Sequence, residues 1–287
     1  MAEKRRHNKK HVDSASVKST LALIMVAALL ISVAYSTCAK SDSEDYPLPY
    51  DEELTELTHV ISPNIEDGEM LHYPGFDVYF SNIHRQPYYV SWVLTPEHAS
   101  SKEFKRSNNF RPDPDVVNSP LLSDYRNSGF DRGHMAPSAD FHYSEEAQEA
   151  TFFLTNMSPQ RNALNSGAWA NLEEQCRNWA IRDSTLVIIT GPILSDYLTQ
   201  SIGESHITVP DRYFKVVYAP YANPPRAIAF IMPNYSVPGG VQQSVVTVDD
   251  VESITGFDFF SSLPDELENS IESESRYSRW QFSKKQK

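Results

Sequence analysis

From about residue 70 onward the chain reads as a series of short β-type runs closed by turn residues, and no other feature limits its fold so strongly. FDVYF (76–80), YYVSWVL (88–94), TFFLT (151–155), TLVIIT (185–190), YFKVVYA (213–219) and AIAFIM (227–232) are rich in β-branched and aromatic residues. Thr95-Pro96, Gly191-Pro192 and Pro233-Asn234 supply turn chemistry at their ends. The main helical pattern lies in SGAWANLEEQCRNWAI (166–181), where Trp169, Leu172, Cys176, Trp179 and Ala180 share one face. Many strands with few helices predict an α+β domain with a largely antiparallel central sheet and flanking helices. A chain of 287 residues, 40% apolar, can bury one sizeable core. We place that domain at residues 71–265, followed by a C-terminal tail, 266–287, that begins as a short helix and frays at SKKQK. Cys38 and Cys176 lie in unlike contexts, which argues against a disulfide scaffold or a Cys-rich zinc site.

The amino terminus obeys different rules. Residues 1–18 carry Lys4, Arg5, Arg6, Lys9, Lys10 and Lys18, and residues 19–39 then hold no charge. An uncharged helix of that length can cross a hydrocarbon layer of about 30 Å. The expectation is a basic cytoplasmic segment (1–18), then a membrane anchor or signal segment (19–39) through which the membrane is a partner. The rest then lies outside the cytoplasm, periplasmic or extracellular, or is secreted if the segment is cleaved. Residues 40–70 hold ten acids against Lys40 and read as a solvated acidic linker. The net charge of −13 excludes a high-affinity nucleic-acid packaging protein, because such affinity comes from Lys and Arg. Residues 71–264 alone hold 13 Lys/Arg and 21 Asp/Glu, a balance of −8, so a polymeric anion can be gripped only where cations collect locally.

One candidate place is GFDRGHMAPSADF (129–141), which sets His134, a candidate base, two residues after a cation, Arg132, with Gly133 between them to let the backbone approach a ligand or take positive φ. If the TFFLTNMSPQ segment (151–160) pairs with it and leads into the helix, then His134, Asn156, Asn165, Glu173 and Arg177 border one cleft. Glu173 and Arg177 lie about 40° apart on a helix and can form an i,i+4 pair. Asn165, at or before the helix start, offers a neutral oxygen that suits a hard cation. Taken singly these residues have ordinary readings: His134 a structural histidine, Asn165 a helix cap, and Arg106, among Lys102, Lys105 and Arg111, a solvated basic loop.

Taken together, DRGHMAPSADF, TNMSPQ and NSGAWANLEEQCR resemble the DNA/RNA non-specific endonucleases with a ββα-metal site, a likeness that runs from about residue 75 to 265. The resemblance implies a metal-dependent endonuclease that hydrolyses phosphodiester bonds of DNA and/or RNA with little base specificity and leaves 5′-phosphates. It implies that His134 activates water, that Asn165 is the direct protein ligand of Mg²⁺, Mn²⁺ or another divalent cation, and that Glu173 holds the metal's waters. Arg132 and Arg177 then support phosphate and site, Asn156 orients groups beside the histidine, and Arg106 in RSNNFRPD contacts phosphate, with Arg111 as its nearest rival. The chemistry agrees, since a neutral imidazole can take a proton from water at physiological pH. Two other classes compete: a membrane-tethered, non-catalytic nucleic-acid-binding or uptake protein, and a zinc hydrolase built on His134, His142 and His206.

Overall fold

The computed structural model describes residues 51–62, 65–195, 197 and 200–281. The predicted segments 1–18 and 19–39 lie outside the described residues, and among the described residues no helix is long and apolar enough to cross a membrane.

The strands are β1 (Gly68–Tyr73), β2 (Phe76–Ser81), β3 (Gln86–Leu94), β4 (Asp131–His134), β5 (Met157–Gln160), β6 (Leu186–Pro192), β7 (Ser201–Ile202), β8 (Ile207–Thr208), β9 (Arg212–Ala219), β10 (Arg226–Pro233) and β11 (Val245–Val246). The helices are α1 (Asp51–Glu56), α2 (Pro96–Ser100), α3 (Leu122–Tyr125), α4 (Glu145–Ala150), α5 (Ala170–Asp183), α6 (Val248–Thr255) and α7 (Asp265–Glu272). A seven-stranded sheet runs β1-β2-β3-β6-β9-β10-β11, and every neighbouring pair in it is antiparallel. This is the α+β architecture expected from the sequence.

The sheet is covered on both faces, which explains why β6 is buried along its whole length and reads as an unbroken apolar run. Against one face pack Leu172, Cys176, Trp179 and Ala180 of α5, in one core with Trp92, Ile188, Val217 and Phe230. Against the other lie Phe257, Phe259 and Phe260, whose rings meet Tyr89, Phe214 and Tyr218. A separate antiparallel hairpin, β4 with β5, stands beside the sheet and carries the DRGH residues.

Three expectations need correction. TFFLT is not a strand: it runs from the end of α4 into a single 3₁₀ turn, Leu154–Asn156, and the strand begins at Met157. Its β-forming side chains serve burial instead, for Phe152 and Leu154 are fully enclosed, while Thr151 Oγ1 donates to the Gln148 carbonyl and holds the chain coiled. The acidic segment 40–70 is not a solvated linker over its described part. Leu54 and Leu57 are buried, Ile61 bridges to Asp258, β1 begins at Gly68, and Asp67 accepts hydrogen bonds from Ser81 Oγ and Tyr88 Oη, both at 2.7 Å. The domain therefore starts before residue 71. Nor is 266–287 simply a tail: α7 docks Leu267 and Ile271, and Trp280 is 1% exposed.

Trp280 lies with its ring centre 4.9 Å from that of Trp179, beneath the Arg226 guanidinium at 5.0 Å, and Arg182 Nη1 donates to its carbonyl at 2.9 Å. It ties the C-terminal segment to the back of α5. Trp280→Ala is expected to cost about 3–5 kcal/mol, read as a lower urea midpoint with two-state behaviour kept. A midpoint within error of wild type would mean that the segment does not brace α5.

Candidate active site

The β4–β5 hairpin sets Asp131 opposite Gln160, Gly133 opposite Ser158 and His134 opposite Met157. Ser158 Oγ donates to Gln86 Oε1 at 2.6 Å and Tyr213 Oη donates to the Pro159 carbonyl at 2.8 Å, so the hairpin is fastened to the sheet. Gly133 does not take positive φ; a Cβ there would stand 2.2 Å from Oε1 of the buried Gln160, whose side chain would have to shift. Just past His134, Asn156 acts as a clamp. Its Oδ1 accepts from Ala136 N, its Nδ2 donates to the carbonyls of Ala136 and Thr151, and its own carbonyl accepts from Met135 N. Fully buried, Asn156 fixes the backbone that carries the histidine and does not line the cleft.

Phe110 and Phe152, edge to face with each other at 5.0 Å, bracket the His134 ring at 5.5 and 5.1 Å. The same two rings seat two cations: Arg132 lies 4.0 Å above Phe110 and Arg106 lies 5.0 Å above Phe152. Arg106 also donates to Ser138 Oγ at 2.7 Å and to Asn108 Oδ1 at 2.8 Å. Arg111, its rival from the sequence, turns away to pair with Glu149 at 3.2 Å and stack on Phe153. His134 is 8% exposed, and its Nε2 has no hydrogen-bond partner among the described residues. Burial first, then the charges of Arg106 and Arg132, hold its imidazole far below the ordinary value, at about 3. The ring is neutral throughout the physiological range.

Opposite stands a wide helical turn, Leu164–Trp169, kinked at Gly167, which leads into α5. Asn165 lies within this turn rather than ahead of the helix. Its Nδ2 and that of Asn162 both donate to Asp131 Oδ2, at 3.0 and 2.9 Å. With the amide nitrogen so held, the orientation of Oδ1 is set as well, and a neutral amide oxygen and the Glu173 carboxylate lining one cleft are oxygen donors of the kind that suit a hard divalent cation. Burial, together with the charge of Asp140, pushes the Glu173 carboxyl up to about 7 against the pull of Lys215, Arg177 and Arg106. A cation bound beside it favours the ionised form.

Arg106, Arg132, His134, Asn165 and Glu173 thus line one cleft of about 680 Å³. Arg177 does not line it. The i,i+4 pair with Glu173 is also absent: Arg177 Nη1 bridges instead to the buried Asp140 at 2.9 Å, whose second oxygen accepts from Trp92 Nε1 at 3.2 Å. Behind them Lys215, 1% exposed, lies 4.7 Å from the Trp169 ring and 5.2 Å from that of Trp92. Sequence reasoning missed the parts played by Asp140 and Lys215. The last had left a signal, being a lone charge inside the apolar run YFKVVYA. His134, His142 and His206 form no common metal-holding group among the described residues, which removes the geometric basis of the zinc alternative.

Known proteins resemble this chain in sequence and in fold. The sequence pattern of the DNA/RNA non-specific endonuclease family matches residues 55–266. Nuclease EXOG, mitochondrial, of Danio rerio is 32% identical over 68% of this chain and 62% of its own length. The nuclease of Nostoc sp. is 36% identical over 64% and 70%, and human endonuclease G, mitochondrial, is 32% identical over 60% and 64%. The chain therefore spans less than two thirds of the length of several of these relatives. A chain of the crystallised EndoG/EndoGI complex superposes with a TM-score of 0.66 at 25% identity, over 76% of this chain and 95% of that one.

The buried imidazole makes a pH prediction. Its folded value lies below that of an unfolded histidine, about 6.5, so between the two the unfolded chain binds a proton that the folded protein does not. Stability is fully kept above that window and falls as pH drops through it. Measured as urea midpoints between about pH 7 and pH 4, the decline should be shallower in His134→Gln than in wild type. Equal slopes would mean that the folded ring is already protonated.

Proposed function

Since the chain belongs to the DNA/RNA non-specific endonuclease family, we propose that it is a hydrolase cleaving phosphodiester bonds within DNA and/or RNA, with His134 as general base. The observation that carries this reading is that a neutral imidazole, Arg106, Arg132, Asn165 and Glu173 line one cleft. Arg106 and Arg132, stacked on aromatic rings, grip phosphate oxygens and hold the phosphorus near His134. His134 takes a proton from the attacking water. In-line displacement of the 3′ oxygen, which takes up a proton from solvent and leaves as a hydroxyl, then keeps the phosphate on the 5′ oxygen of the downstream fragment. A phosphate seated between the arginines offsets the charges that depress the imidazole, so basicity rises when substrate is in place. Asn165 Oδ1, with Glu173 lining the same cleft, would hold a divalent cation of the Mg²⁺ or Mn²⁺ kind, which when bound supplies positive charge against the negative charge gathering in the transition state. These groups address phosphate, sugar or water rather than base edges, which supports weak sequence preference.

Behind the cleft, Asn156 and Arg177 position rather than touch. We place the catalytic domain outside the cytoplasm, tethered by or released from residues 19–39, on the charge pattern of the amino terminus alone.

His134→Ala should lower plasmid cleavage at neutral pH by at least about 100-fold, with the far-UV spectrum and urea midpoint confirming a folded protein. A folded variant that still cuts at near wild-type rate would remove the histidine from the mechanism. Substrate affinity should depend on salt through few contacts, log K against log salt running near −2 to −4. Arg106→Ala should flatten that slope by about one unit without creating a base preference. KM measured on plasmid across a salt series decides, and an unaltered slope would show that Arg106 does not hold phosphate.

A further inference from the structure

A second cluster of oxygen donors stands apart from the cleft residues. Asp249 and Glu252, one turn apart near the start of α6, meet Glu272, the last residue of α7, so that one carboxylate oxygen from each lies within 4.8 Å of the others. Oxygens on opposite sides of a calcium ion at about 2.4 Å are separated by about that much, whereas the magnesium sphere is narrower. An acidic cluster on a surface is ordinary, but one member here is not on the surface. Glu272 is 6% exposed, and its Oε1 is shut off from solvent with no hydrogen-bond partner among the described residues. Leaving a carboxylate oxygen in that condition is costly.

No side chain present relieves it. Among the described residues no salt bridge reaches Asp249, Glu252 or Glu272, and neither α6 nor α7 has a basic residue in its last turn. The charges that act on Glu272 are themselves carboxylates, Glu252, Glu268, Asp249 and Asp258. Glu252 commits Oε1 to Phe259 N at 2.8 Å, which sets the orientation of its carboxylate, and the exposed Asp249 leaves the cluster open to solvent on one side.

We propose that Asp249, Glu252 and Glu272 form a calcium-binding site, distinct from the cleft, that fastens α7 to α6. The ion satisfies the enclosed oxygen of Glu272, turns mutual repulsion into shared coordination, and completes its shell with water from the Asp249 side. Its role is structural: it holds the last helix in place, and with it the chain that leads to Trp280.

The test uses the full chain stripped of metal, without nucleic acid. Calcium at about 5 mM, about 5- to 50-fold above a Kd in the range of extracellular modules, should raise Tm by roughly 2–9 °C. Because the cleft can also take a divalent ion, the titration is repeated in Asn165→Ala, where the shift should persist, and in Asp249→Asn, where the Kd read by calorimetry should weaken about tenfold. Glu272→Gln should raise the Tm of the metal-free protein and abolish the calcium increment. Should that variant fail to fold, Asp249→Asn, altered at an exposed position, carries the test alone. No calcium-dependent shift, a shift lost in Asn165→Ala, or one kept intact in Asp249→Asn would each overturn the proposal.

Discussion

Helix α5 is held against the sheet by charges that have little or no access to water. Asp140 is buried at 1% exposure and receives both Arg177 and the Trp92 indole, while Lys215 lies in the core with its ammonium near two tryptophan rings. Burial drives the Asp140 carboxyl up and the Lys215 ammonium down from their ordinary values, and the charges of Arg177 and Lys215 oppose the first of these shifts. A set of this kind tolerates loss poorly, because removing one partner strands the others in a medium that cannot solvate them. What the set secures is orientation. With Arg177 tied to Asp140 and Trp169 next to Lys215, the azimuth of α5 is set, and with it the direction in which Glu173 points.

The opposite wall uses another principle. Nothing there is anchored by a buried ion pair; backbone and rings do the positioning. Asn156 holds the peptide units after His134 from both sides, and the Phe110–Phe152 pair supports a base and two cations on one aromatic platform. Neither arginine forms a salt bridge among the described residues, so a protein of net charge −13 still gathers two cations beside one imidazole.

Much of this was legible beforehand, and the failures share a cause. Runs such as TLVIIT became strands because both their faces are covered, and local composition reports that well. TFFLT was misread because aromatic residues that favour strands are also the residues that fill walls, and Phe152 was needed under Arg106. The acids of residues 51–70 suggested solvent, yet Leu54 and Leu57 among them reach the core. Helical spacing named Glu173 and Arg177 as neighbours and could not show that Asp140, from a different segment, would claim the arginine first. The cleft residues were readable because they sit in contiguous strings. Lys215 showed only as a lone charge in an apolar run, because its partners arrive from β3, the Asp140 turn, the Leu164–Trp169 turn and α5.

The wide turn from Leu164 to Trp169 carries information of a kind that residue identity does not. In a regular α-helix each residue advances the chain by about 100°, so the loss or gain of a single residue between Asn165 and α5 would leave every functional side chain present and swing the amide to another bearing. Irregular winding of this sort recurs at functional sites in helices. Two chains could therefore share all the lettered positions of this cleft and still differ in whether oxygen and carboxylate converge. The distance along the chain between them is itself a component of the site.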